Sequence, residues 1–454
     1  MGEHMNDIIN FIQYTSYEDL PYNVKKNIKY AFKDTVAVTL AAANSTETKI
    51  IMDIISESNE IEEEMPSIEL ALTSKPVDTA FLLGTMSHVL DFDDVNFTFQ
   101  GHPSVTLIPI ILTLGKEYDL TGKEMMLSYA VGFEVEARIG EAIGSDQYNL
   151  GYHTTATIGI FGAVAAVSVL MKFNDDQIRY AFGLASSLAS GSRKNFGTMT
   201  KPLHVGFLTK NVYLISRLIS KGITATDDIF SEPIPIDRMT TGKSIDLSVT
   251  QKLGNTWELG DFGVIFKKYP CCAYTHRSID ALLELIQFEN VSYDEVESIE
   301  VVVHYKVPAV LIYPEAKTAL EGKFSMQYCL AAALYDREIT LQTFTDDNVN
   351  RTTIQDLMKK IIMTIDENQK EGTDSKERTA TIKLFTKRKA LNKRVDYPVG
   401  HPGNPFTEAD MYEKFSMCLN GVYPSSGIKS LYEMLSSLDK CNFSNIEDRL
   451  LGNK

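Results

Sequence analysis

The sequence predicts a mainly α-helical protein with a smaller α+β domain. Three observations carry that reading. Apolar residues recur at helical spacing through most of the first 265 residues, runs of β-branched residues gather between about 299 and 385, and the last fifty residues return to helical patterns. The expected organisation is an all-helical domain over 1–265, an α+β domain over 266–400, and a segment 401–454 that packs back on the first domain.

Taken in order, Pro21 opens the first long helix, PYNVKKNIKYAFKDTVAVTLAAAN, because its fixed φ suits a first turn and its missing N–H would have no partner there. The acidic run ESNEIEEEM over 57–65 reads as a solvated loop or helix edge. Thr121-Gly-Lys-Glu124 is a capping box that starts MMLSYAVGFEVEARIGEAIG as a second long helix. Thr154 to Met171 holds eighteen residues without a charge, about the lower bound for a bilayer span. Its Gly, Ala, Ser and Thr content, with no basic flanks and no other span, predicts a helix buried by close helix contact instead. The helix beginning near Asp175 contains FGLASSLASG and is expected to be buried for the same reason. Farther on, Ser292-Tyr-Asp-Glu295 matches a second capping box ahead of a strand, 299-IEVVVHY-305. Helices over 324–336 and 352–360 alternate with strands over 361–366 and 380–385, and helices over 407–419 and 428–438 close the chain.

Composition bounds the function. The chain has 454 residues, 44% of them hydrophobic, enough for two or three domains with sizeable cores. Sixty acidic against 44 basic residues give a formal charge of −16, which argues against nucleic acid or an anionic membrane as partner. An anionic small substrate would need a locally basic pocket. Five cysteines, with Cys271 and Cys272 adjacent, do not suggest a disulfide framework and fit a reducing cytoplasm. The segment MGEHMNDIINFIQ has no basic region followed by an apolar core, so no export signal is expected.

Several chemistries lack their motif. No G-x-G-x-x-G occurs, and TTGKS has Asp237 where a phosphate-binding loop needs its first glycine. No H-E-x-x-H or C-x-x-C occurs either, so neither nucleotide binding nor a zinc or iron-sulfur site is expected. Four segments do combine titratable side chains with small residues and proline: 91-DFDDVNFTFQGHPS-104, 151-GYHTTATIG-159, 197-GTMTKPLHVG-206 and 266-FKKYPCCAYTHR-277. They hold His102, His153, Lys201, His204, Lys267, Lys268, His276 and Arg277. Singly, each has a plain structural explanation: a helix cap, a satisfied core group, a solvated lysine, or a turn closed by Asp93 or Asp94. Together, beside small-residue helices that let a ligand approach the backbone, they point to a site.

These segments, with LEGKFSMQYCLAAAL (320–334) and GHPGNPFT (400–407), resemble the MmgE/PrpD family over nearly the whole chain. The resemblance implies a large all-helical domain with an α+β lid, a homodimer, and action on small di- or tricarboxylates without metal or organic cofactor. The family includes 2-methylcitrate dehydratase, cis-aconitate decarboxylase and iminodisuccinate epimerase. The resemblance further implies an active site between helical domain and lid that uses His102, His153, Lys201 and Lys267, with Asp91 at the family's first aspartate. Lys267 is preferred to Lys268 on its K-x-Y-P spacing; Lys268, His276, Arg277, Tyr313 and Asn96 are further candidates for binding substrate.

Residue chemistry agrees. Removing a proton next to a carboxylate builds negative charge, so a site needs cations and a base of near-neutral pKa. Lys201 and Lys267 suit the first role and a histidine the second. Loss of hydroxide, loss of a carboxylate as carbon dioxide, or return of the proton on the other face then gives dehydration, decarboxylation or epimerisation. His102 is expected to exchange the proton, His153 to act as partner acid, and Asp91 to orient a neighbouring imidazole or lysine. The chain departs from the dehydratase and decarboxylase arms at Val95 and Asn96, where those arms carry threonine, often followed by tryptophan. Asn96 or Thr98 could then supply the missing polar contact. The alternative is a catalytically silent member with a binding or structural role, and convergence of the four main residues would distinguish the two.

Overall fold

The computed structural model describes residues 2–59, 65–370 and 378–452; residues 60–64 of the acidic run lie outside the described residues. The protein is mainly α with a small α+β unit, as the sequence predicts. Two compact units divide the chain: Met1–Asn195, Thr200–Val264 and Thr407–Lys454 form the first, and Phe196–Met199 with Ile265–Phe406 the second. Relative to the expected split, 401–406 and the short stretch Phe196–Met199 fall in the second unit.

The longer helices of the first unit, up to Val264, are α1 (Glu3–Tyr14), α2 (Tyr22–Ala41), α3 (Thr46–Asn59), α4 (Pro76–Val89), α5 (Pro103–Tyr118), α6 (Gly122–Ile143), α7 (Gly159–Leu170), α8 (Asp175–Ser186) and α9 (Thr200–Ser220). Pro21 stands at the N-cap of α2. At α6 the capping box closes in both directions, with Thr121 Oγ1 accepting from Glu124 N at 3.3 Å and Glu124 Oε2 accepting from Thr121 N at 2.9 Å. The uncharged segment 154–171 is broken into a single turn, Thr154–Thr157, and α7, which is buried from Gly159 to Ser168. Among the described residues no helix is long and apolar enough to cross a membrane. Close contact explains the small residues: a Cβ on Gly132 of α6 would stand 2.8 Å from the Gly162 carbonyl of α7. The expected buried helix through FGLASSLASG stops at Ser186 instead, and residues 187–190 are partly exposed. Serine explains the stop, since the Ser186 hydroxyl donates to the Gly183 carbonyl and competes for helix hydrogen bonds.

In the second unit, α10 (Ala273–Phe288) and α11 (Met326–Asp336) accompany a four-stranded sheet of order β2-β1-β3-β4. The strands are β1 (Val296–Val303), β2 (Ile361–Ile365), β3 (Ala380–Thr386) and β4 (Ala390–Val395); β1 and β2 are parallel and the other pairs antiparallel. Val301 and Val303 of β1 and Ile382 and Leu384 of β3 turn inward, with α10 packed on β3 and β4. The first strand begins earlier than the expected 299–305 and ends before His304 and Tyr305, and β4 was not expected at all.

The last helices, α12 (Glu408–Leu419) and α13 (Ser425–Ser436), belong to the first unit. Two buried lysines tie α12 down: Lys33 lies 2.7 Å from Glu408 and Lys414 lies 2.5 Å from Asp34.

Candidate active site

Helices α4 and α9 meet at two glycines, and that contact positions the site. A Cβ on Gly84 would stand 2.2 Å from Thr209 Oγ1, and one on Gly206 would stand 2.1 Å from Thr85 Oγ1. One turn beyond Gly84, α4 presents His88; just before Gly206, α9 presents Lys201 and His204. The connection from α4 to α5 carries the aspartates and ends at His102, the N-cap of α5, ahead of Pro103. Asp91 begins it in the left-handed region, φ +51°, which side chains with a Cβ seldom adopt. Its bond to Lys201 helps to hold that conformation.

His102 lies between two aspartates. Its Nδ1 is 2.7 Å from Asp93 Oδ2, and its Nε2 is 3.9 Å from Asp91 Oδ1. That Asp91 oxygen holds the Lys201 ammonium at 2.5 Å. Asp93 Oδ2 also receives His88 Nδ1 at 2.9 Å. The ring of His88 stands edge-on to His102, centroids 4.6 Å apart, and stacks on His153 at 5.6 Å. His153 and His204 meet through their Nδ1 atoms at 3.0 Å, so one ring donates to the other. Backbone contacts secure the same groups: His102 N donates to Thr155 Oγ1 at 3.2 Å, and His153 N to the Gly191 carbonyl at 2.9 Å. His88 and Asp93 are sealed, while the His102 side chain keeps 13% of its exposure.

Electrostatics separate these groups. Burial opposes ionisation of Asp93, but His102 and His88 beside it prevail and hold the carboxyl well below the usual range. Burial pushes His88 down to about 3 against the pull of Asp93, so its ring is neutral near pH 7. His153 is likewise lowered by burial and then by His88 and Lys201, and His204 falls to about 4 through burial and Lys201. A neutral His153 is suited to donating or accepting a hydrogen bond. The ligand atoms of His88, Asp93 and His102 lie within 4.8 Å of one another. A tetrahedral ion with bonds of about 2.05 Å would space its ligand atoms about 3.3 Å apart. The shared oxygen's contacts of 2.7 and 2.9 Å are hydrogen-bond distances instead.

Asp91, His102, His153 and Lys201 therefore gather in the first unit, joined by His88, Asp93 and His204. Asn96 is buried and turned to the backbone around it. Its Nδ2 donates to the Gly263 carbonyl and its Oδ1 accepts from the amides of Thr98 and Phe99, so the side chain is spent on shaping the loop. Thr98 is likewise committed, to Glu258. In the second unit Lys267 is fully buried and Lys268 is exposed near the Tyr269 ring, which separates the two candidates. His276 is buried with Nε2 3.2 Å from the Cys271 carbonyl. Arg277 donates from Nε to the Asp396 carbonyl, and burial with the neighbouring Arg378 lowers it to about 9. The Tyr313 hydroxyl donates to the Phe196 carbonyl at 3.1 Å, its ring over Gly197. Sequence reasoning left out His88 and Asp93 as site residues; His88 lies three residues before the 91–104 stretch, and within it nothing linear told three aspartates apart.

Comparison with known proteins adds an independent line. The model of the MmgE/PrpD N-terminal domain matches residues 6–246 and that of the C-terminal domain residues 269–440. Cis-aconitate decarboxylase of Mus musculus is 25% identical over 83% of this chain and 78% of its own length. The human protein of the same name is 24% identical over 80% of this chain and 77% of its own length. The Aspergillus terreus protein is 23% identical over 96% of this chain and 93% of its own.

Proposed function

The chain belongs to the MmgE/PrpD family, and from that premise we propose that it is a carboxy-lyase acting on a small di- or tricarboxylate, with His102 as its proton carrier. One observation carries the assignment to His102. Its Nδ1 is held by an ionised, buried aspartate and its Nε2 faces the Asp91–Lys201 pair, so the ring is oriented with one nitrogen beside a cation. The names of the relatives favour decarboxylation among the reactions open to such a site.

In this mechanism the bond to the departing carboxyl group breaks and carbon dioxide leaves. The electron pair stays on the substrate, conjugated with a remaining carboxylate. Lys201 stabilises that charge, and His102 delivers the proton from Nε2 to carbon. Asp93 favours the imidazolium needed before transfer; the neutral ring then regains a proton from solvent. Neutral His153 offers a hydrogen bond to a substrate oxygen, its tautomer set by His204. Lys267 and Tyr313 are proposed to bind substrate carboxylates. The chain is proposed to work as a homodimer without metal or organic cofactor.

The test is proton NMR in deuterium oxide on chelator-treated protein with cis-aconitate, 2-methylcitrate, citrate and iminodisuccinate. The expected result is loss of carbon dioxide from a tricarboxylate with deuterium appearing on carbon, reduced at least about a thousandfold in Lys201→Ala. Water loss or epimerisation would move the assignment within the family. No turnover by folded protein on any of the four would favour a silent member.

A further inference from the structure

We propose that His88 tunes the proton affinity of His102 by sharing one oxygen of Asp93 with it. The inference rests on the reading of His102 as the proton carrier, and it concerns a residue that touches no substrate in that mechanism.

A carboxylate only accepts, so any imidazole nitrogen bonded to it must carry hydrogen. Both Nδ1 atoms reach the same Oδ2, at 2.9 Å from His88 and 2.7 Å from His102. Asp93 Oδ1 has no hydrogen-bond partner among the described residues, and neither has His88 Nε2. The polar contacts of this buried carboxylate are therefore concentrated on one oxygen, which takes a hydrogen bond from His88 and an ion-pair contact from His102. His88 takes its share as a neutral donor, because burial holds it far below its usual range. A neutral N–H pointed at the carboxylate stabilises the ion without removing its charge, and the positive end of that dipole lies close to His102. Both effects weaken the attraction that Asp93 exerts on a protonated His102. An unshared aspartate would hold the proton more tightly and release it to substrate less readily.

The other charged and titratable groups around His102 are fixed in kind. Asp91 comes from the same loop, Lys201 from α9, and His153 from the segment before Thr154. Asp91 favours the imidazolium and Lys201 opposes it, and their ion pair makes no hydrogen bond to His88. The division of Asp93 is thus the adjustable element.

The tautomer of His88 in the wild-type protein is the first readout, by imidazole nitrogen NMR on histidine-labelled protein. His88 should show a protonated Nδ1 and bare Nε2 throughout neutral pH. His88→Phe keeps an aromatic ring against His102 and His153 but removes the donor, and should raise the His102 midpoint by about one unit. His88→Asn restores an N–H near the position of Nδ1 and should return the midpoint most of the way. Resonances are assigned by their loss in His102→Gln. The alkaline limb of the kcat/KM profile should move with the midpoint, because the imidazolium is the form that donates. A His88 found protonated at Nε2, or a His102 midpoint unmoved in His88→Phe, overturns the proposal, and the first of these needs no variant to fold. Because the NMR needs no substrate, absence of turnover would count against the carboxy-lyase reading and leave this one to stand or fall alone.

Discussion

Asp93 and Asp94 are adjacent, equally sealed from solvent, and chemically opposite. Asp93 turns to two imidazoles and stays ionised far below the ordinary carboxylate range. Asp94 turns to the start of α5, where it accepts from the Ser104 amide at 3.2 Å and bonds the Ser104 hydroxyl. Burial and then the nearby Asp34 carboxylate push it up to about 8. Ser104 also meets the Tyr129 hydroxyl at 2.8 Å, and Glu136, raised strongly by burial, accepts from Thr106 two residues on. An ionised site therefore lies next to a layer of neutral carboxyls at the start of α5. Burial is common to both aspartates, so the neighbours decide the sign: imidazoles favour the ion and a second carboxylate disfavours it.

The sharpest way to break this contrast is to neutralise each aspartate in turn. Asp93→Asn removes the charge that favours the His102 imidazolium and replaces an acceptor with a group that can present N–H to two donors. It should lower kcat by about a thousandfold while circular dichroism stays native. Asp94→Asn imitates a protonated carboxyl, with an oxygen for the Ser104 amide and an N–H for its hydroxyl. It should keep activity within about threefold and stability within about 1 kcal/mol. Equal losses from the two variants would mean that the layers are not distinct.

Stability against pH sharpens the contrast further. His88 and His204 are depressed in the folded protein, to about 3 and about 4, so the unfolded chain takes up protons that the folded one does not. Their contribution is lost as pH falls below the unfolded value of about 6.5. Asp94 and Glu134 are raised, to about 8 and about 7, so the folded chain keeps protons that the unfolded one has released. Their contribution is lost as pH rises from about 4 toward 8. Between about 4.5 and 6.5 the two sets oppose each other, and above that window the carboxyls are the part of these four groups that still titrates. Melting temperature should therefore fall from pH 6.5 to 8.5. Asp94→Asn should remove one proton from the linkage, a slope of about 1.4 kcal/mol per pH unit. A wild-type curve flat over that range would show that Asp94 is ionised, like Asp93.

Much of the architecture was legible because it rests on local rules. Thr121 and Glu124 cap α6 through contacts three residues apart, and Pro21 marks the start of α2 by its own geometry. Strand β4 was not legible: ALNKRV has an exposed or half-exposed side chain at every position but the last, so it carries no apolar alternation and is fixed by pairing with β3. The stretch from Asp91 to Ser104 announced a site by its composition. Which aspartate faces what depends on the left-handed turn at Asp91 and on the close approach of Gly84 to α9, and neither is encoded in spacing. Asn96 drew attention as a polar group in that stretch, yet it is consumed by three loop hydrogen bonds whose partners lie as far away as Gly263.

The smallest expected effect lies at the far side of the neutral layer. Tyr129 is fully buried, and its hydroxyl bonds Ser104, which in turn holds Asp94. Tyr129→Phe deletes one oxygen and leaves the ring packed against Phe32 and Phe133. Ser104 keeps its bond to Asp94, so no charged group is stranded and the cost should be about 1 kcal/mol of unfolding free energy, read by urea titration. Turnover should stay within about twofold and the alkaline slope should persist, because Asp94 keeps its proton. If turnover instead fell in step with Asp93→Asn, the proton carrier would be sensing the hydroxyl through Ser104, and the ionised and neutral carboxyls would be one network.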